Sequence, residues 1–376
     1  MKIILAGGGT GGHFYPLIAI AEKLNAIIDR ERIVEPKLYY FSDVPYDEKK
    51  LFENGITFVR MDSGKVRTYF SVQNFFDVFK TFFGFIGTLI KVWQIYPDVV
   101  VSKGGYLAFP VVLSARILRI PVIIHESDSV PGRANVFAGK FAKRVAVSYP
   151  EAATFFPKET VAITGQPIIS DLMIPVKSGA REYLHIDPEI PVVLVVGGSL
   201  GAEIINNALI DALPELVESC YVIHQTGKAN FKEASSRAGI VLEKSAHKER
   251  YKPFAYLDTL ALKMSAGVAS VVVTRAGSML FEIATWGVPA IVIPISNTNG
   301  DHQRKNAYSY ARSGAGEVME ENNLSARVLA SEIHSIITDT ARSEKMKAAA
   351  KTFIGANNAA LLIAEEIVAI GLSHEQ

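Results

Sequence analysis

The chain has 376 residues, more than one hydrophobic core usually supports, so length alone predicts two domains. Apolar residues make up 49% and charged residues 20%, and Lys+Arg 39 against Asp+Glu 38 leaves a net charge of +1. That balance excludes an intrinsically disordered chain and argues against a nucleic-acid coat, and the single cysteine, Cys220, excludes a disulfide scaffold or a cysteine-based zinc site and points to a reducing compartment.

The chain opens directly on a strand pattern, Ile3 to Ala6, with neither the basic leader nor the small-residue cleavage site of a signal peptide. Further strands are predicted over Leu38–Phe41, Thr57–Arg60, Val99–Ser102, Val122–His125, Val145–Ser148 and Val161–Thr164. In the second half they are predicted over Val192–Val196, Tyr221–Gln225, Val271–Thr274 and Ala290–Pro294. Several are Val/Ile runs without alternation, so they belong to parallel sheets covered by helices on both faces. Each half therefore reads as a Rossmann-like, doubly wound α/β domain. Turn formers crowd residues 165–191, which places a hinge near Gly165 and gives domains 1–164 and 165–350, with a C-terminal helix within 357–376 as a candidate completion of the first. Residues 341–371 read as helical with a break near Gly355 to Asn358.

Mean hydropathy is high, at +0.21, yet the long uncharged stretch Ile283 to Gly300 is broken by Gly287, Pro289 and Pro294 and predicts no membrane span. A different apolar feature lies between Phe70 and Phe85, where seven of the twenty phenylalanines fall. Phe75, Phe79, Phe82 and Phe83 recur at helical spacing, with Lys65, Arg67, Lys80 and Lys91 around them. A short aromatic helix with basic flanks suits the interface of an anionic membrane, although buried core helices share the pattern.

Both halves carry a glycine-rich turn between a buried strand and a helix, Gly7-Gly8-Gly9-Thr10-Gly11-Gly12 and Gly197-Gly198-Ser199-Leu200-Gly201. Such turns let backbone N–H groups and a helix N-terminus meet a phosphate, which makes Thr10, Gly11 and Gly12 donor-binding candidates. The first turn fits the dinucleotide fingerprint only because nearly every position is Gly, and the second strand ends in Phe41-Ser42-Asp43 without a well-placed ribose acid. His13 follows the glycines directly, and Pro16 suits the first turn of a helix over Leu17–Leu24. The helix dipole disfavours protonation there, leaving the imidazole able to accept a proton near neutral pH.

Ser102-Lys103-Gly104-Gly105-Tyr106 and His125-Glu126-Ser127-Asp128 also sit just past predicted strands, where parallel sheets place ligand crevices. In the second half, Arg275-Ala276-Gly277-Ser278 ends a strand and opens a helix carrying Glu282, a carboxylate suited to ribose hydroxyls. Asn299-Gly300-Asp301-His302-Gln303 offers neutral partners for sugar hydroxyls. The thirteen aspartates include no D-x-D pair and the eight histidines no close pair, so no metal is expected for chemistry. Backbone N–H groups, a helix terminus and Arg275 would then meet the charge of a departing nucleoside diphosphate.

In order along the chain, Gly8-Gly9-Thr10-Gly11-Gly12-His13, Gly104-Gly105-Tyr106, His125-Glu126, Gly197-Gly198-Ser199, Arg275-Ala276-Gly277, Glu282 and Asp301-His302-Gln303 with Asn306-Ala307 resemble one family. It is that of the UDP-N-acetylglucosamine:undecaprenyl-diphospho-muramoylpentapeptide N-acetylglucosaminyltransferases, which convert lipid I to lipid II in peptidoglycan synthesis. The resemblance spans roughly Met1 to Leu324. It implies the GT-B architecture, two Rossmann-like domains facing a cleft, and a UDP-GlcNAc-dependent hexosyltransferase acting peripherally at the cytoplasmic face of the cell membrane. It implies UDP-N-acetylglucosamine, lipid I and anionic lipids as partners, and neither a cofactor nor nucleic acid.

By the same resemblance, His13 lies at the active centre, with Gly105, Tyr106, Glu126 and Asp128 on the acceptor side. Ser199 and Arg275 to Ser278 face the diphosphate, Glu282 the ribose, Tyr256-Leu257 the uracil, Asn206 the sugar, and His302 and Gln303 the N-acetylglucosamine hydroxyls. The expected reaction is one inverting displacement in which the muramyl 4-hydroxyl attacks, His13 or, second, Glu126 removes its proton, and UDP leaves. Three departures stand out: Gly165-Gln166-Pro167-Ile168-Ile169 where the family usually reads Gly-Asn-Pro-x-Arg, Ser199-Leu200-Gly201 where it tends to Ser-Gln-Gly, and Glu126-Ser127-Asp128 where Glu-Gln-Asn is common. Two rivals stay open: another GT-B enzyme on UDP-N-acetylglucosamine, such as a C2 epimerase or a soluble-acceptor transferase, and a non-catalytic nucleotide-sugar sensor.

Overall fold

The computed structural model describes residues 1–61, 73–198, 201–296, 299–355 and 358–373. The chain divides into two compact units, Met1–Ile169 with Asn357–Gln376, and Ser170–Ala356. The division falls after Ile169, a few residues beyond the expected hinge at Gly165.

The first unit is built on a parallel sheet of β1 (Lys2–Ala6), β2 (Lys37–Ser42), β3 (Ile56–Arg60), β4 (Val99–Ser102), β5 (Val122–Glu126), β6 (Arg144–Val147) and β7 (Val161–Ile163), in the order β3-β2-β1-β4-β5-β6-β7. Ile3 pairs with Leu38 on one side and Val99 on the other. The continuous apolar runs are buried on both faces, with Ile3, Ile4, Val99, Val100 and Val101 wholly inaccessible. The second unit carries β8 (Val192–Val196), β9 (Tyr221–Gln225), β10 (Tyr251–Phe254), β11 (Val271–Thr274), β12 (Ala290–Val292) and β13 (Gly316–Val318), in the order β10-β9-β8-β11-β12-β13. In each sheet the order reverses once, between β1 and β4 and between β8 and β11. Ligand crevices of doubly wound sheets open at the strand ends beside such a reversal.

Two strands were absent from the sequence reading, β10 and β13, and both lie at sheet edges. Pro253 cannot donate to a ladder and is tolerated only at an edge, while Gly316-Glu317-Val318 is too short and polar to read as a strand. The first helix also begins earlier than expected, spanning Gly11–Glu31 with Pro16 inside it. The Thr10 carbonyl accepts the N–H groups of His13 and Phe14 at 3.1 and 3.2 Å, closing a helical turn over residues that composition marks as loop.

The C-terminal segment forms helices Thr340–Ile354 and Ala359–Ser373, separated at Gly355, whose φ is +60°. The first belongs to the second unit, where Phe353 packs on Phe281 and Tyr310 with ring centroids 5.3 and 4.9 Å apart. The second belongs to the first unit and lies along helix Gly11–Glu31, burying Ile363, Ala364 and Ile367, while Glu366 pairs with Arg144 at 2.8 Å. Among the described residues, Thr340–Ser373 is the only stretch with the length and hydropathy of a membrane span, and the turn at Gly355 divides it into two helices of 15 residues.

Candidate active site

In the first unit, the turn after β1 is pressed onto the end of the sheet. A Cβ at Gly8 would lie 2.2 Å from Ser42 Oγ and 2.6 Å from Leu107, so only glycine fits. Thr10 takes the N-cap position of helix Gly11–Glu31 but makes no side-chain cap. Its Oγ1 instead meets His13 Nδ1 at 3.0 Å. The ring so held turns Nε2 towards Gly105, where a Cβ would sit 3.5 Å away; with φ at +82°, Gly105 is a position other residues occupy only under strain. Burial, then the nearby Lys103 ammonium, push the His13 pKa from 6.5 down to about 4, with Asp128 opposing. The imidazole is therefore neutral at neutral pH, and in the tautomer that donates Nδ1–H to Thr10 the acceptor lone pair lies on Nε2.

Lys103 is buried at the end of β4, 4% exposed, and received no role from the sequence. Burial holds its amine below the usual lysine range against the pull of Glu126 and Asp128. The Glu126 carboxylate is occupied: Oε1 accepts the Asp128 N–H at 2.9 Å, and Oε2 accepts the Gly132 N–H at 3.0 Å and Asn135 Nδ2 at 2.9 Å. Burial raises its pKa while Lys103 opposes. These bonds fix the turn that carries Asp128. Across the crevice, the Tyr106 hydroxyl, on a side chain 43% exposed, donates to Asp43 Oδ2 at 3.4 Å, which brings in Asp43, noted in the sequence only as a poor ribose acid.

Two of the family departures meet each other. Ser127 Oγ donates to Gln166 Oε1 at 2.6 Å, and Ser148 Oγ donates to the same oxygen at 2.9 Å. The long Gln166 side chain thus reaches the short side chains of Ser127 and Ser148 directly.

In the second unit, the turn after β11 holds Arg275, 9% exposed. Its Nη1 donates to the Ile293 carbonyl at 3.0 Å and pairs with Glu321 Oε1 at 2.7 Å, while its Nε is buried without a partner. The Ala276 carbonyl accepts Asn306 Nδ2 at 3.1 Å, which fastens helix His302–Arg312 to this turn. Helix Met279–Trp286 follows, and Glu282 in its first turn has a buried Oε2 with no hydrogen-bond partner. Burial raises its pKa from 4.5 to about 8. An orphaned donor and an orphaned acceptor thus stand on one turn and its helix, the state expected of groups whose partner is a ligand.

Gln303 Oε1 accepts the Ile295 N–H at 3.3 Å, and His302 opens the same helix. Tyr256 is 40% exposed with Lys228 Nζ 5.5 Å from its ring centroid, whereas Leu257 is buried and its N–H bonds Gln225 Oε1 at 2.9 Å. The Asn206 amide faces inward: Oδ1 meets His224 Nε2 at 2.9 Å and Nδ2 donates to the Thr226 carbonyl at 2.9 Å. Its polar atoms are thus committed to the core beneath the second glycine turn, away from the sugar role the resemblance implied. Gly12, Gly277 and Ser278 are partly open at their helix starts. Ser199, Lys65 and Arg67 lie outside the described residues, as do the side chains of Phe75, Phe79, Lys80 and Phe82. Among the described residues no cluster of three His, Cys, Asp or Glu side chains has metal-ligand geometry.

The glycosyltransferase family 28 N-terminal domain model matches residues 3–147, and the C-terminal domain model of that family matches residues 192–366. A Treponema denticola protein named UDP-N-acetylglucosamine–N-acetylmuramyl-(pentapeptide) pyrophosphoryl-undecaprenol N-acetylglucosamine transferase is 34% identical over 84% of this chain and 83% of its own length. The chain belongs to glycosyltransferase family 28. A second relative with the same transferase name, from Bacillus cereus, is 34% identical over 94% of this chain and 96% of its own. Among solved structures, the fold recurs in Acinetobacter baumannii MurG, with a TM-score of 0.71 at 24% identity over 98% of this chain and 99% of that one. UDP-GlcNAc 2-epimerase from Neisseria meningitidis bound to UDP-GlcNAc shares the fold as well, with a TM-score of 0.70 at 13% identity over 98% and 100%. In this family 28 chain both matched domains contain a strand-order reversal: His13 and Lys103 lie on the segments after β1 and β4, and Arg275 follows β11.

Proposed function

We propose that this protein transfers N-acetylglucosamine from UDP-N-acetylglucosamine to the 4-hydroxyl of the muramyl residue of lipid I, with inversion, giving lipid II. The observation that carries the reading is His13: a neutral imidazole fixed by Thr10, with Nε2 towards Gly105, on the first turn of a helix headed by glycines. The family membership and the transferase name shared by the curated relatives supply the substrates.

The roles follow from the chemistry. As the acceptor hydroxyl attacks the anomeric carbon, His13 Nε2 takes its proton, and UDP leaves with the electron pair of the glycosidic bond. Glu126 keeps Asp128 and the acceptor turn in place, its lone pairs being engaged, and so ranks behind His13 as the base. On the donor side, Glu282 Oε2 receives ribose hydroxyls, and Arg275 and the start of helix Met279–Trp286 meet the diphosphate. With this donor set the reaction needs no metal.

The acceptor's lipid tail calls for a membrane-facing surface. Helix Gln73–Ile95 carries Phe83, Ile90 and Trp93, 68%, 47% and 62% exposed, at spacings that put all three on one face. Lys91, one of the expected basic flanks, donates to the Arg60 carbonyl at 2.6 Å at the base of that helix. Large exposed aromatic side chains on one helical face suit peripheral binding to the anionic cytoplasmic leaflet.

The test is UDP release from UDP-N-acetylglucosamine with and without a short-chain lipid I analogue, in EDTA. Acceptor-dependent release is expected. Release without acceptor would move the reading to an epimerase or hydrolase, and UDP binding without release to a sensor.

A further inference from the structure

Glu321 is remote in sequence from every motif of the donor site, yet it touches two of them. Its Oε1 lies 2.7 Å from Arg275 Nη1, with both side chains 11% exposed, and its Oε2 accepts the Ser296 N–H at 2.9 Å. Ser296 stands at the head of the segment that runs to His302 and Gln303. Burial works against ionisation of Glu321, but the Ser296 N–H and the Arg275 guanidinium outweigh it and hold the carboxylate below its usual range. The preceding Glu320 Oε1 accepts Arg304 Nε and the Tyr308 hydroxyl, each at 2.8 Å, so Glu320 braces the turn after β13 against helix His302–Arg312 while Glu321 ties the same turn to Arg275 and Ser296. Arg275 is gripped only through Nη1, by Glu321 and the Ile293 carbonyl, and its buried Nε remains unpartnered.

We infer that Glu321 is a positioning residue for the nucleotide diphosphate: it grips one edge of the Arg275 guanidinium so that the other edge is presented to the ligand, and it ties that grip to the loop leading to His302. Released from Glu321, Arg275 would spread over several rotamers and pay their entropy on binding. The role rests on the proposed donor site, in which Arg275 meets the diphosphate.

The experiment is calorimetric titration of the full chain with UDP and, separately, with uridine, for the unaltered protein, Glu321→Ala, Glu321→Gln, Arg275→Met and the Glu321→Ala/Arg275→Met double variant. Arg275→Met is expected to weaken UDP about tenfold and leave uridine unchanged, the scale of one charge-assisted contact. Glu321→Ala should reproduce that pattern, Glu321→Gln should show it in part, and the double variant should bind UDP no more weakly than Arg275→Met alone. Uridine binding reports that each variant is folded, and should Glu321→Ala fail that check, the shape-preserving Glu321→Gln carries the comparison. Unchanged or tighter UDP binding in the Glu321 variants, or equal loss of UDP and uridine in the shape-preserving Glu321→Gln, overturns the inference while leaving the donor site standing. If Arg275→Met itself leaves UDP affinity unchanged, the donor reading falls first and the inference with it.

Discussion

Glu282 combines two properties that pull against each other, a position suited to ribose hydroxyls and a burial that keeps its carboxyl protonated, and the tension can be measured. Burial lifts its pKa from 4.5 to about 8. Below pH 4.5 the folded and unfolded chains both hold the proton, and stability owes nothing to the shift. As pH rises above 4.5 the unfolded chain releases the proton while the folded chain keeps it, so stability falls until about pH 8 and is flat beyond. At about 1.4 kcal/mol for each tenfold step in proton affinity, the loss at pH 7 is about 3 kcal/mol. Glu282→Gln, neutral at every pH, should therefore stabilise the free second unit by about that amount at pH 7 and hardly at all at pH 4.5. The assay is urea denaturation at the two pH values, followed through the transition that UDP shifts. The same variant should bind UDP more weakly, because an amide is a poorer acceptor for two hydroxyls than a carboxylate. In the unaltered protein UDP binding at pH 7 should release close to one proton, visible as a buffer-dependent binding enthalpy. A gain in stability that is equal at pH 4.5 and pH 7, or UDP binding without proton release, would refute the reasoning.

His13→Ala should lower turnover at least a hundredfold, the usual scale of a general base, with UDP affinity nearly intact, and equal loss of both would remove the role. Because the His13 pKa is held near 4, the acid limb of kcat/KM should lie well below the usual histidine range, and Lys103→Met, which removes one of the causes, should move that limb to higher pH. Ser127→Gln alone should overfill the Gln166 site and Gln166→Asn alone should strand two serine hydroxyls, each costing about 1–3 kcal/mol; the double variant should recover much of that in thermal denaturation, and strict additivity would show that the two positions are uncoupled. Phe83→Ser with Trp93→Ser should reduce co-sedimentation with anionic vesicles while leaving acceptor-independent UDP binding unchanged, and undiminished sedimentation would return the helix to an ordinary role.

What the sequence showed and what it hid have physical reasons. Val99–Ser102, Val192–Val196, Tyr221–Gln225 and Val271–Thr274 have the bounds expected of them, because strands buried on both faces leave unbroken apolar runs. The edge strands β10 and β13 escaped because an edge tolerates proline and polar residues. The placement of His13, Arg275 and Glu282 beside helix starts was legible through the glycine-containing turns, while the roles proposed for them await the tests above. The commitment of Asn206 to His224 was not, since an asparagine on a helix after a glycine loop looks the same whether its amide turns in or out. Lys103 was legible as a residue of a crevice stretch just past a strand, but its burial between His13 and the Glu126 turn was not. Nothing near Glu321 in the sequence marks it, because its partners arrive from other loops only when the sheet forms.

Helix Ala359–Ser373 gives the chain an unusual order of assembly. The first unit is begun at residue 1 but lacks the helix that covers Gly11–Glu31 until residues 359–373 have been made. During synthesis the second unit, continuous from Ser170 to Ala356, has all its strands before the first unit has its last helix. The apolar side of Gly11–Glu31, carried by the same helix that holds His13, therefore waits uncovered through most of translation. A ribosome that stalls late, or a protease that trims the final helix, would spare the second unit and leave incomplete the one that holds His13.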